Sequence, residues 1–534
     1  MIAFAKSINR PKIRLSIFVT LYTLYTLVAF QDPLWSYARQ VADPASFLGV
    51  LQLTSLQILQ ITLMASFLYL WSLIAIWLMK IIAIILVMTN SVALYFISVY
   101  GIEIDRSMIA NILNTDARET GELMHISMAP YILILGVLPA AAIVFTKITP
   151  PNRMWRLAMI FTPLLALVGF VAATSHTMLW YDQHATRMGS RILPWSYIVN
   201  TGRHFNSLAQ ANRPQELLPN ATFANAPAQK TVVVLVIGEA ARGDNFSLLG
   251  YERPTNPFTQ GLGISAFPIG QACATNTIGG TACILTHQGS QASSRTVFEP
   301  LPNYLKRHGI FTIYRSNNSG PPPIQADIIE PARKLLENCA ETDCPDKLYD
   351  EILIDGLSDI VARTAQERVF IFLHQTGSHG PAYSQKYPPD FEHFKPVCDT
   401  VQVSQCSYES LRNAYDNTIR YTDYHMAALI KQLGSLENTA TAVIYVSDHG
   451  QSLGENGYYL HGAPVKIAPP EQLRIPFWVW MSPAFKQSRG LSTDGIVRDT
   501  THPHDFPFHS VMGAFGMQSD IYKPEFDVFA PPRN

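Results

Sequence analysis

Residues 231–239 read TVVVLVIGE, an unbroken apolar run that ends in a glycine and then a carboxylate. A strand buried on both faces has this pattern, because it has no solvent side toward which residues can alternate. The plan recurs in GIFTIYRS at 309–316, RVFIFLHQ at 368–375, TAVIYVS at 441–447 and IPFWVWM at 475–481. Between these runs lie amphipathic helical patterns, such as the one from Ser410 to Leu433. Strand–helix alternation with continuous apolar strands predicts an α/β fold with a mainly parallel sheet covered on both faces. Such sheets collect ligands beyond the C-terminal ends of their strands.

Chemistry-bearing residues fall at those ends. Glu239 follows the first run, His379 follows RVFIFLHQTGS, and Asp448 and His449 follow TAVIYVS. Neighbouring strand residues face opposite ways, so Asp448 and His449 must lie where the chain turns, and Gly450 permits that turn. Thr277 sits inside a Cys-framed segment, and His461 precedes a glycine as His379 does. Oxygen ligands and imidazoles at one sheet edge suit a hydrolytic or phosphoryl-transfer zinc centre.

The first third of the chain is of another kind. Hydrophobic residues make up 48% of the 534 residues and charged ones only 15%, with the apolar excess concentrated at the N-terminal end. Five stretches, near 15–31, 57–78, 81–100, 129–147 and 156–175, are of the order of the roughly 20 residues that span a bilayer. Little more than Lys80 separates the second from the third, which predicts a short turn there. Lys6, Arg10, Lys12 and Arg14 precede the first span, Lys80 marks the next same-side turn, and Lys147, Arg153 and Arg156 the next. By the positive-inside rule the N-terminus is cytoplasmic, and an odd number of spans places the rest outside. Lys and Arg total 39 against 40 Asp and Glu, so no global charge points to nucleic acid.

The expected organisation is a five-helix transmembrane domain at 1–175, an interfacial segment and linker at 176–230, and a catalytic domain at 231–534. Trp180, Tyr181, Trp195 and Tyr197, with Arg187, Arg191 and Arg203, suit a headgroup-level segment or one packed on the soluble domain. All six cysteines lie in the exported part, where disulfides form. Local spacing favours Cys273–Cys283, Cys339–Cys344 and Cys398–Cys406, although sequence alone leaves the connectivity open.

Four longer motifs carry a family resemblance. VIGEAARGDNFSLLGYERPTNP at 236–257, CATNTIGGTAC at 273–283, HQTGSHGPAY at 374–383 and SDHGQSLGENGYYLHG at 447–462 resemble the phosphoethanolamine transferases of Gram-negative envelopes. That family includes lipid A-modifying enzymes and their mobile colistin-resistance relatives, within the alkaline phosphatase/sulfatase superfamily. The resemblance covers nearly the whole chain and implies that Glu239, Thr277, Asp448 and His449 hold a principal zinc, with Thr277 also the nucleophile. It implies that His379 and His461 hold the phosphoryl group or a second zinc, or act as acid–base groups. Asn111, Thr115 and Glu119 recur every four residues on one predicted helix face and resemble the family's donor-lipid contacts. Asn317 and Asn318 follow a strand and can reach phosphate; the family often has a lysine soon after, where this chain has Gly320, Pro321, Pro322 and Pro323. HPHDFPFHS, with His502, His504 and His509, resembles the family's C-terminal histidine motif and is assigned a secondary place.

The implied reaction moves phosphoethanolamine from phosphatidylethanolamine to lipid A through an adduct on Thr277, in a bacterial inner-membrane enzyme with a periplasmic catalytic domain. Reduced lipid A charge would weaken adsorption of cationic peptides such as polymyxins. The alternatives are another envelope glycan as acceptor, a core heptose or periplasmic glucan, and a membrane-anchored phosphatase that passes the intermediate to water.

Overall fold

The computed structural model describes residues 11–114, 124–173, 178–211, 215–224, 226–292, 297–318, 323–338, 349–491 and 500–530. The described residues fall into two compact units, one from Met1–Arg106 and Met124–Gly202, the other from Ser107–Leu123 and Arg203–Asn534.

In the first unit, Phe47–Ile74, Ile76–Tyr100, Met128–Phe145 and Arg153–Phe170 are long and apolar enough to cross a membrane. A fifth span results if Leu15–Phe30 and Asp32–Val41, bent by 67° at their junction, count as one. Many large apolar side chains point outward, with Val28 84%, Leu165 71% and Ile74 68% exposed, while the polar Gln60, Ser72 and Asn90 are buried. That inversion is what a hydrocarbon solvent favours, since buried polar groups can then bond between helices. Gln60 donates to Gln31 at 3.0 Å, and Tyr197 donates to Asn90 at 3.0 Å. The turn expected at Lys80 is instead at Ala75, whose extended backbone (φ −161°, ψ 143°) ends one helix and begins the next. Lys80 lies inside the second helix, and its ammonium reaches the carbonyls of Val144 and Thr146 at 3.0 and 2.9 Å. It thereby satisfies carbonyls at the end of helix Leu138–Phe145, where a cation opposes the helix dipole.

In the aromatic and basic segment, Trp180, Tyr181 and Tyr197 find partners within this helical unit. Trp180 joins a core with Leu34, Tyr37, Ala38 and Leu56. The Arg191 guanidinium holds the buried Glu103 carboxylate through two bonds, at 3.0 and 2.7 Å.

The second unit is built on an eight-stranded sheet. Its strands in chain order are β1 (Lys230–Gly238), β2 (Ser265–Gln271), β3 (Phe311–Ser316), β4 (Ile328–Pro331), β5 (Arg368–His374), β6 (Thr439–Ser447), β7 (Arg474–Met481) and β8 (Thr501–Pro503). Their spatial order is β8-β2-β7-β6-β1-β5-β3-β4. β1 pairs parallel with β5 and β6, β3 pairs parallel with β5 and β4, and only β7 runs antiparallel to its neighbours. Pro476 is accommodated because the β7–β2 register shifts between Ile475 and Phe477, a position where a missing N–H costs no ladder bond.

Val233, Leu235 and Ile237 of β1 pack with Leu301, Tyr304, Phe508, Val511 and Met512. The other face carries Tyr445 stacked on Trp478, and helix Tyr408–Gly434 approaches it where Gly434 meets the Trp480 ring. The stretch read as linker is partly paired: Glu216 bridges to Phe298, and Thr222–Phe223 pairs antiparallel with Met517–Gln518. Disulfides join Cys273 to Cys283 and Cys398 to Cys406. Cys339 and Cys344 lie outside the described residues.

Candidate metal centre

Register sets the site. Gly238 pairs with Ser447 and Ile237 with His374, so the residues just past three parallel strands emerge at one level. β1 delivers Glu239, β6 delivers Asp448 and His449, and β5 delivers the turn that carries His379. The chain turns sharply after Glu239, with Ala240 in the left-handed region at φ +53°. A residue with a Cβ is strained there, and the strain is offset by bonds on every side. The Ala240 N–H donates to Asp448 Oδ1 at 3.1 Å, and Tyr415 donates to the Ala240 carbonyl at 2.7 Å.

Glu239, Asp448 and His449 are fully buried, and one ligand atom from each lies within 4.8 Å of the others. The His449 Nδ1–H donates to the Gly450 carbonyl at 2.8 Å, which leaves Nε2 as a lone pair turned inward. That nitrogen lies 3.2 Å from Glu239 Oε1 and 3.5 Å from Asp448 Oδ2. His449 Nε2 and Asp448 Oδ2 are both buried without a hydrogen-bond partner. Burial, and then the neighbouring Glu239 carboxylate, push the Asp448 carboxyl well above the usual range, against the pull of His449. Two adjoining buried carboxylates with an inward imidazole lone pair form an electron-rich donor set, and a divalent cation satisfies it where a proton satisfies only part.

Thr277 is the first residue of helix Thr277–Ile284, which Asn276 caps by accepting the Gly279 N–H at 2.9 Å. Its hydroxyl donates toward Glu239, 3.1 Å from Oε2 and 3.3 Å from Oε1. Gly280 brings the helix this close, since a Cβ there would lie 2.3 Å from the Asp448 carbonyl oxygen. Gly280→Ala is expected to cost about 1–3 kcal/mol by overpacking and to part Thr277 from the carboxylates. A thermal melt and bound-metal content, compared with wild type, check both effects.

Asn318 joins the cluster, its amide donating to Glu239 Oε2 at 2.6 Å and to the Gln375 carbonyl at 2.9 Å. The rings of His461 and His449 are 4.4 Å apart and those of His379 and His461 5.2 Å apart. Gln451 fixes the His461 tautomer. Its Nε2 donates to Tyr383 Oη at 2.7 Å, so its Oε1 accepts the His461 Nδ1–H at 2.9 Å and Nε2 keeps its lone pair. Burial first, then His449 and His379, hold His461 well below the ordinary imidazole range. Gln451 and Tyr383 were not singled out from sequence, although both stand inside the quoted motifs.

Asn111 approaches the same region, since a Cβ at Gly462 would lie 3.8 Å from its amide nitrogen. Thr115 and Glu119 lie outside the described residues. The C-terminal histidines stand behind the site. His504 links the Ser447 carbonyl (2.9 Å) to the Cys273 N–H (3.4 Å), His502 packs on Phe267, and His509 meets the His287 carbonyl.

Comparison with known proteins places this geometry in context. Residues 231–517 match the sulfatase family, and residues 62–208 match the family described as phosphoethanolamine transferase EptA/EptB. The chain is 35% identical to phosphoethanolamine transferase EptA of Helicobacter pylori over 95% of each chain. It is 32% identical to phosphatidylethanolamine transferase Mcr-1 of Escherichia coli over 84% of this chain and 85% of that one. Among solved structures, the integral membrane lipooligosaccharide phosphoethanolamine transferase A of Neisseria meningitidis superposes with a TM-score of 0.89 at 25% identity, covering 98% of this chain and all of the other.

Proposed function

The chain belongs to the phosphoethanolamine transferase family, and from that premise we propose that it moves phosphoethanolamine from phosphatidylethanolamine to a lipid A phosphate through a covalent adduct on Thr277. The observation that carries the reading is the Thr277 hydroxyl set against a buried donor cluster of Glu239, Asp448 and His449. Those three residues and the Thr277 oxygen would hold one zinc tightly, with His379 and His461 available for a second. When bound, the zinc supplies Lewis acidity that lowers the pKa of the threonine hydroxyl and offsets charge on phosphoryl oxygens.

The chain's own residues do the rest. The Thr277 oxygen attacks phosphorus, the bond from phosphorus to the glycerol oxygen breaks, and diacylglycerol leaves with a proton. The positive end of helix Thr277–Ile284, where Thr277 is the first residue, would favour the negative charge of a phosphoryl group on Thr277. His379 and His461 serve proton transfer at the leaving and entering oxygens, His461 through the Nε2 lone pair that Gln451 leaves open. Asn318 and Asn111 contact the donor headgroup, in the position that the resemblance also gives Thr115 and Glu119. A lipid A phosphate oxygen then displaces Thr277. Kdo(2)-lipid A is the acceptor in the name of one Escherichia coli relative, 27% identical over 77% of this chain. The apolar helices hold the enzyme in the bacterial inner membrane, where donor and acceptor both reside, with the catalytic unit periplasmic. Added ethanolamine would lower lipid A charge and with it polymyxin adsorption.

The test is full-length protein in detergent with phosphatidylethanolamine labelled in its ethanolamine, offered lipid A or a periplasmic glucan. Label is expected on lipid A. Label on the glucan alone would replace the acceptor, and label released only as free phosphoethanolamine would make the protein a phosphatase.

A further inference from the structure

Asp350 opens the short helix Asp350–Ile354, outside every motif quoted above, and its side chain is buried. Its carboxylate accepts three bonds that converge from two loops. Oδ1 takes the Asn317 amide at 2.9 Å and the Thr376 N–H at 2.9 Å, and Oδ2 takes the Gly377 N–H at 2.7 Å. Thr376 and Gly377 begin the turn that ends at His379, and Asn317 precedes the asparagine that donates to Glu239.

The turn is defined from its other side as well. Ser378 N–H donates to the Glu239 carbonyl at 3.0 Å, and His379 N–H to the Thr376 carbonyl at 3.2 Å. Gly377 adopts φ +49°, and a Cβ on it would lie 2.8 Å from the Glu239 carbonyl oxygen. The turn is thus held between Glu239 and the Asp350 carboxylate. A buried carboxylate that accepts consecutive backbone N–H groups fixes their direction more strongly than a neutral acceptor does. Hydrogen bonds of this kind are short-ranged, so the Asp350 carboxylate cannot be moved without moving the turn.

We propose that Asp350 is a positioning residue of the transfer reaction, holding the Thr376–His379 turn, and with it the His379 imidazole, against the Glu239–Thr277 centre. The proposal rests on the functional role assigned to His379 above. It requires that loss of the carboxylate acts through His379 and leaves the metal cluster intact: none of the three bonds ends on the side chain of Glu239, Asp448, His449 or Thr277, and the turn's own bond to Glu239, from the Ser378 N–H, is to the backbone carbonyl and not to the carboxylate.

The experiment compares full-length wild type, Asp350→Asn, His379→Ala and the double variant by kcat, KM, bound zinc and melting temperature. Asp350→Asn keeps shape but turns an amide N–H toward a backbone N–H, which misdirects the turn. The expected result is a loss in kcat of about 100-fold, the scale of a displacement near 1 Å, with zinc content unchanged. Added to His379→Ala, the same change should lower kcat by less than about two-fold, since coupled residues are non-additive. An equal loss in both backgrounds, or wild-type kcat in Asp350→Asn, overturns the proposal. If Asp350→Asn does not fold, Asp350→Glu, which keeps the charge but shifts the acceptor oxygens by one methylene, decides by the same comparison. Wild-type activity in His379→Ala alone would instead remove the reading on which the proposal rests.

Discussion

Thr277→Ala is expected to lower phosphoethanolamine transfer by at least about 10⁴-fold while leaving the protein folded, the scale on which nucleophile removal acts in enzymes with a covalent intermediate. The hydroxyl makes its bonds to the Glu239 carboxylate at 3.1 and 3.3 Å, and losing them costs about 1 kcal/mol. Alanine also suits the start of a helix interior better than threonine does, which offsets part of that cost. Activity and stability should therefore separate widely in this variant. Thr277→Ser, which keeps the oxygen, should recover most of the rate. A steady-state transfer assay beside a thermal melt checks both statements. A Thr277→Ala enzyme within ten-fold of wild type would remove the covalent route.

Stripping divalent metal with a chelator is expected to abolish transfer and to lower the melting temperature by on the order of 10 °C. A ligand present at about a thousand times its dissociation constant stabilises the folded state by about 4 kcal/mol, and each kcal/mol is worth about 2–4 °C in domains of this class of size. The sign in the variant is more diagnostic. Asp448→Asn keeps an oxygen for the Ala240 and His449 N–H groups, bonds of 3.1 and 2.7 Å in the wild type. It replaces the other oxygen by an amide that can donate toward Glu239, so it removes the repulsion of two buried carboxylates. In chelator, Asp448→Asn should melt higher than wild type; with zinc restored, wild type should melt higher. Calorimetry in both conditions reads the crossing. Curves that keep the same order in both would mean that the cluster does not bind metal.

The sheet was legible wherever a strand is buried on both faces. β1, β3, β5, β6 and β7 announce themselves as continuous apolar runs, because there the sequence has no polar face to present. β2 escaped because Pro268 and Gly270 interrupt it, and β4 and β8 because edge strands of four and three residues carry no period. The helix break at Ala75 was invisible for a different reason. Neither glycine nor proline marks it, whereas Lys80, the charge that looked like a turn, caps two carbonyls from within a helix.

At the site, Glu239, Asp448 and His449 could be read from sequence because strand ends converge when strands are parallel. The pairing of Gly238 with Ser447 then places the carboxylates side by side. What could not be read is the tier that orients them. Gln451 sets the His461 tautomer only because Tyr383, 68 residues away, fixes the Gln451 amide. Asp350 matters only once the loops after β3 and β5 meet. Both depend on contacts between distant segments, and neither residue type marks such a role.

The most direct test of the Thr277 route is the intact mass of full-length protein, quenched during turnover with phosphatidylethanolamine and zinc in the absence of acceptor, beside Thr277→Ala. The account predicts one phosphoethanolamine adduct on the wild type, located to Thr277 by fragmentation, and none on the variant. Donor consumed at the wild-type rate with no adduct at any quench time, or an adduct that persists in Thr277→Ala, would contradict it.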